Sequence, residues 1–224
     1  PLGMSVKDVE KAIKENPDAK AVLVNNPTYY GICSDIKSIV KLAHEHGMLV
    51  LADEAHGTHL YFGEGLPCSA MAAGADMAAG SIHKTGGSLT QSSLLLCADT
   101  VSEGYVRQII NLTQTTSGSY LLMVSLDLAR KNLALNGKEL FKKAVDYADY
   151  AREEINKIGG YYAFGRELEN GDDIFAFDST KLSVHTRAMG LAGVEVYDIL
   201  RDDYDIQIEF GDIGNILAIV SAGD

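Results

Sequence analysis

Short apolar runs separated by amphipathic stretches set the pattern of this chain. Val6, Val9 and Ile13 recur at helical spacing until Pro17 interrupts them, and Ser5 with Asp8 three residues on resembles a capping box. A helix is therefore predicted over residues 5–15. Residues 19–25 form a compact apolar run that Asn25-Asn26-Pro27-Thr28-Tyr29-Tyr30-Gly31 breaks. Asp35 is placed to cap a second helix, which carries Ile36, Ile39, Val40 and Ala43 and ends by Gly47. Residues 48–52 are continuously apolar, too short for a helix and without alternation, as in a parallel strand buried on both faces. Strand, helix and strand make a βαβ unit that closes at Asp53.

Residues 75–80 and 92–98 are two further short apolar strands, and a helix is predicted to start near Ser102. Residues 120–158 lack Pro and read as two long helices parted at Asn136-Gly137. Beyond Gly159-Gly160 short β-like runs alternate with one helix over residues 194–200. The expectation is an α/β protein, three-layered around a mainly parallel sheet over residues 1–158, followed by the start of a small α+β domain over 159–224. No internal repeat or low-complexity tract is present.

Composition narrows the function. The chain has 224 residues, 46% hydrophobic and 22% charged, which suits a packed core. Its net charge of −12 argues against a nucleic-acid partner. No apolar run approaches the roughly 20 residues needed to cross a bilayer, so no membrane partner is expected. Cys33, Cys68 and Cys97 are widely spaced without a C-x-x-C pair, which fits a reducing cytoplasm, and Cys33 and Cys97 read as buried small hydrophobes. The opening Pro1-Leu2-Gly3-Met4 fits either a tag remnant or the cut edge of a longer protein.

Two constellations can carry chemistry. Asp53-Glu54-Ala55-His56-Gly57 follows a buried strand, where open α/β sheets collect ligands. It also matches the Walker B pattern of some helicases, but that reading needs an upstream G-x-x-x-x-G-K-[ST], and the chain's Gly-Lys pair, Gly137-Lys138, lies downstream before Glu139. The bland reading is a turn-capping aspartate. The second constellation, Ser81-Ile82-His83-Lys84-Thr85-Gly86-Gly87-Ser88, sets a lysine among small and hydroxyl residues at a strand exit. Lys84 is either a solvated loop lysine or a Schiff-base amine. Pyridoxal phosphate needs both a lysine for its aldehyde and an acid for its pyridinium nitrogen, and Lys84 with Asp53 supplies that pair. His56 and His59 have no third ligand at zinc spacing, so no metal is expected. His44 and His46 read as surface histidines, and Tyr147, Tyr150, Tyr161 and Tyr162 as packing residues.

These motifs, in order with Asn26-Pro27-Thr28-Tyr29-Tyr30-Gly31, Leu89-Thr90-Gln91-Ser92 and Thr115-Thr116-Ser117, resemble the major domain of the Orn/Lys/Arg decarboxylases, fold type I pyridoxal phosphate enzymes of the aspartate aminotransferase superfamily. Phe177-Asp178-Ser179-Thr180-Lys181-Leu182 and Ile206-Gln207-Ile208-Glu209 resemble the opening of that family's C-terminal region. The resemblance implies pyridoxal 5'-phosphate bound covalently at Lys84, its ring nitrogen on Asp53, His56 beside it, and Ser81 and His83 on its phosphate. Lys84 or His83 becomes the proton donor to Cα. Thr115 would reach the phosphate of a neighbouring subunit, making the enzyme a homodimer or higher homo-oligomer with shared active sites. The substrate is then a small basic amino acid, arginine, lysine or ornithine, which loses CO₂ to give the amine. An aminotransferase or carbon–sulfur lyase of the same superfamily would use the same Asp and Lys, and a non-catalytic dimerisation module is the alternative for a truncated chain. Family members are about twice as long, so the chain reads as an interior piece whose phosphate loop and ring-stacking residue lie elsewhere.

Overall fold

The computed structural model describes residues 3–224. Helix α1 (Val6–Glu15) begins as the sequence implies, with the Ser5 hydroxyl accepting from the Asp8 N–H at 3.1 Å. Then come β1 (Ala21–Asn25), the short β2 (Ile32–Cys33), α2 (Ile36–Glu45) capped by Asp35 through the Ser38 N–H, and β3 (Leu49–Asp53). Next are β4 (Met77–Ser81), the single-turn α3 (Ile82–Thr85), β5 (Ser93–Cys97), α4 (Glu103–Thr113) and α5 (Tyr120–Ile158). The remainder holds β6 (Tyr162–Phe164), β7 (Ala176–Phe177), β8 (Lys181–His185), α6 (Gly193–Tyr204), β9 (Phe210–Gly211) and β10 (Asn215–Ile219).

Strands β1, β3 and β4 pair in parallel in that order, and β5 closes the sheet antiparallel to β4, a direction that the apolar run over 92–98 could not reveal. The fold is thus α/β with a mainly parallel sheet. Val24, Val50, Ala52 and Ala78 face α1 and α2, packing on Val9, Ile13, Ile36, Ile39, Val40 and Ala43. The expectation that β3 is buried on both faces is corrected: alternate residues leave the other face of the sheet, with Leu23 69% exposed and Leu49 and Leu95 also open. Helix α4 flanks that face across a cleft of about 730 Å³ lined by Leu49, Met77, Leu95, Tyr105 and Ile109. Cys97 is likewise exposed there, contrary to expectation, whereas Cys33 is buried.

The second sheet is antiparallel in the order β6, β8, β10, β9, with Ala163, Val184 and Ile216 packed on Val196 of α6. Pairing of β2 with β7 ties its approach to the loop that follows β1. Tyr147 and Tyr150 on α5 and Tyr162 in β6 are exposed, not packed as the sequence suggests.

The expected break at Asn136-Gly137 does not exist, because α5 runs unbroken for 39 residues. A glycine sits there for contact and not for a turn: a Cβ on Gly137 would lie 2.7 Å from the Phe62 Cβ. Leu133 and Phe141, one turn to either side, are fully buried in the same seam. Helix propensity alone would make Gly137→Ala stabilising by about 1 kcal/mol. Overpacking against Phe62 should instead make it destabilising by about 1–3 kcal/mol, read as a lowered midpoint of denaturant unfolding.

Candidate active site

Parallel strands leave their carboxyl ends on one edge, and here that edge carries Asn25, Asp53 and Ser81 as the last residues of β1, β3 and β4. Asn25 pairs with Asp53, and Asp53 with Ala79, across the sheet. A cleft of about 330 Å³ opens there, lined by Asp53, Ala55, Gly80 and Ser81 among others. The Asp53 carboxylate accepts the Ala55 N–H at 3.0 Å, and no other partner for it occurs among the described residues.

Beyond Ser81 the chain turns at once into α3, which brings Lys84 back over the loop after β3. Its Nζ lies 3.0 Å from His56 Nε2. Burial foremost, then the charges of Lys84 and Lys181, push the His56 pKa down to about 4. A neutral His56 accepts at Nε2 from the amine, and its Nδ1 is buried with no partner among the described residues. The Tyr29 ring meets the His56 ring edge-on at 4.3 Å and stacks on Phe210 at 5.0 Å. The Tyr29 hydroxyl donates to Glu209 and that of Tyr30 to Asp212. Burial first, then the bond to Glu209, raise Tyr29 to about 12, so it stays a donor.

Of the residues proposed from sequence, Asp53, His56, Ser81 and Lys84 gather on this edge. The His83 Nδ1 is 2.9 Å from the Ser92 carbonyl oxygen and is committed to the turn that precedes β5. Thr115 is apart from them, exposed in the link between α4 and α5, where its hydroxyl oxygen accepts from the Ser117 N–H at 3.1 Å. Among the described residues no group of three or more His, Cys, Asp or Glu could hold a metal, and no helix is long and apolar enough to cross a membrane.

Sequence reasoning left three residues without a role: His59, Asp178 and Lys181. All are buried, and Asp178 Oδ2 accepts from both His59 Nε2 at 2.9 Å and Lys181 Nζ at 3.0 Å. Thr180 completes the cage through its hydroxyl, 2.7 Å from Asp178 Oδ1. Burial would raise the Asp178 carboxyl, but the neighbouring His59 and Lys181 and these hydrogen bonds outweigh it and hold Asp178 well below the usual carboxylate range. Burial lowers His59, whose Nδ1 has no partner among the described residues, so Lys181 is the cation that balances Asp178. The sequence marked the run Phe177-Asp178-Ser179-Thr180-Lys181-Leu182 only as a resemblance, with nothing in it to show that Asp178 and Lys181 are buried as a pair.

A mainly parallel sheet closed by an antiparallel strand, with a lysine and an aspartate at its carboxyl edge, defines the class of fold as α/β with a ligand-ready strand edge. Within it, residues 2–181 match the Orn/Lys/Arg decarboxylase major domain, and the chain belongs to that family. It is similar to arginine decarboxylases of Halalkalibacterium halodurans (49% identity over 99% of this chain and 45% of that protein) and Bacillus subtilis (46% identity over 99% and 46%). It thus spans about half the length of the curated relatives it matches. A solved lysine decarboxylase of Francisella novicida shares the fold, with a TM-score of 0.77 and 19% identity over 97% of this chain and 36% of that one.

The depressed His56 and His59 values give the site a pH signature. Between the folded value of about 4 for His56 and an unfolded value of about 6.5, the unfolded chain holds the extra proton, so stability falls as pH drops through that window. His56→Gln should flatten this acid slope without abolishing it, since His59 contributes in the same direction. Urea unfolding at a series of pH values measures it.

Proposed function

We propose that the full-length protein is a pyridoxal phosphate-dependent decarboxylase that converts a basic amino acid to its amine and CO₂, and that arginine is the substrate. The placement of Lys84 and Asp53 on one sheet edge carries this reading. The residues fit the cofactor: an amine for its aldehyde, a carboxylate with acceptor capacity to spare for a pyridinium N–H, and the Ser81 hydroxyl for its phosphate. When bound, pyridoxal phosphate supplies an electron sink for the pair left at Cα.

This chain's residues do the rest. Asp53 holds a proton at the ring nitrogen, and Lys84, steadied by neutral His56, serves as covalent anchor and as proton donor to Cα. His83 is the alternative donor through the nitrogen that the Ser92 carbonyl leaves free. Glu209, which accepts from the Tyr29 hydroxyl beside His56, and Asp212, which accepts from that of Tyr30, offer anionic partners to a cationic substrate side chain, in keeping with the names of the relatives.

The active unit is a homodimer in this reading, with Thr115 serving the partner subunit's cofactor phosphate. It is supported by the exposed apolar surface around that link: α4 buries no residue, and Leu112, Tyr120, Leu121 and Val124 lie open. The boundary between residues 1–158 and 159–224 falls at Gly159-Gly160, where α5 ends and an antiparallel sheet begins. Three free cysteines accord with a cytoplasmic enzyme.

Borohydride reduction of the full-length protein with pyridoxal phosphate should label Lys84, and Lys84→Ala should lose both the label and the visible absorbance of bound cofactor. Label on another lysine overturns the assignment. Asp53→Asn should keep the label while decarboxylation of arginine, followed by amine product against lysine and ornithine, falls about 10²-fold or more.

A further inference from the structure

A buried ion pair seldom adds net stability over apolar residues of the same volume, so stability alone is a poor account of a lysine with no exposed surface. What Lys181 touches suggests another account. Besides Asp178 and the Thr180 hydroxyl, its Nζ reaches the backbone carbonyl oxygen of His56 at 3.4 Å. The imidazole of that same residue meets Lys84 at 3.0 Å. Lys181 also supports the other neighbour of His56. Gly31 follows Tyr29-Tyr30 at φ +89°, and a Cβ there would lie 2.9 Å from the Lys181 Cβ and 3.0 Å from the Asp178 carbonyl oxygen. The loop whose Tyr29 ring edges onto His56 therefore rests directly on Lys181.

The run from Glu54 to His59 is pinned on both sides of His56. Glu54 is buried and accepts from the Tyr61 hydroxyl and the Ala70 N–H. His59 is buried on Asp178. Asp178 and Lys181 are fixed in turn from α5, where the buried Arg152 donates to the carbonyl oxygens of Ser179 at 3.2 Å and Lys181 at 3.0 Å.

We propose that Lys181, with Asp178 and His59, is a positioning device for the cofactor-anchoring lysine: it holds the His56 backbone and the Tyr29 loop so that the His56 imidazole meets the Lys84 amine. The inference rests on the cofactor reading above and extends it to residues that touch neither cofactor nor substrate. The charged groups facing His56 are Lys84, Lys181, Asp53 and Asp178; burial foremost, and then the two lysines against the two aspartates, keeps it neutral.

The test uses the full-length protein and has a readout without cofactor. Lys181→Met leaves the Asp178 charge without its cation and risks unfolding, so Asp178→Asn/Lys181→Met, which removes the pair together, is the companion variant. Heteronuclear NMR of the cofactor-free protein follows the His56 imidazole through acid. Removing Lys181 and Asp178 together takes away charges that act on His56 in opposite directions, so a rise of its protonation midpoint from about 4 toward the ordinary histidine value near 6.5 in the double variant reports that the loop no longer holds the imidazole buried against Lys84. Capture of added pyridoxal phosphate at Lys84, read by absorbance and borohydride trapping, should slow about ten-fold or more. A folded double variant with unchanged His56 titration and capture rate, losing only thermal stability, overturns the proposal. Failure of the wild-type protein to capture cofactor would sink the decarboxylase reading, and the His56 titration would still decide the positioning claim.

Discussion

The carboxylate of Asp178, buried between an ammonium and an imidazole, is the interaction on which the arrangement of this chain depends. It belongs to the segment entering the second sheet, yet His59 comes from the loop after β3 and Lys181 bonds the carbonyl of His56 in that loop. Residues more than a hundred positions apart are thereby locked at one point. An ionised group with no access to water tolerates almost no displacement of its partners, because each hydrogen bond lost leaves a desolvated charge. The junction between the two sheets therefore has little freedom to slide, and the short β2–β7 pair, with Phe177 packed on Ile32, lies just ahead of it.

The same electrostatics shape the reactive edge. Two lysines approach His56 from different elements, and burial disfavours a third positive charge between them. Neutral imidazole is what remains. A neutral ring can accept a hydrogen bond from an amine that an imidazolium would repel, so the buried cation on one side of the loop makes the Lys84 contact on the other side favourable.

The elements legible in the sequence are those whose signals are local. Ser5 and Asp35 cap where their spacing to the following apolar residues says they should, and the short apolar runs before Asp53 and Ser81 are strands that end at those residues. Direction and partnership are not local, and they were missed. The run over 92–98 gives no hint that it returns antiparallel, and Ile32-Cys33 is too brief to announce a pairing with residues 176 and 177. Gly137 misled because a glycine chosen for close approach carries the same letter as one chosen for a turn. The placement of Asp53 and Lys84 at or just after strand ends was readable from the runs before them. That of Asp178 and Lys181 was not, since charged residues belong outside by default and only the folded chain shows them paired.

The long helix explains how so many distant pieces converge. An interruption at Asn136-Gly137 would let its two halves orient separately; a continuous helix of 39 residues does not. Its first half packs Ala129 and Leu133 against Ile82, the residue that opens the turn bearing Lys84. Its last third carries Arg152, whose guanidinium satisfies the carbonyls of Ser179 and Lys181. One rigid rod thus sets the distance between the turn bearing Lys84 and the buried Asp178–Lys181 pair. Gly137 matters for the same reason: by letting Phe62 press against the rod midway, it fixes the loop after β3 to the element that holds both ends of the site.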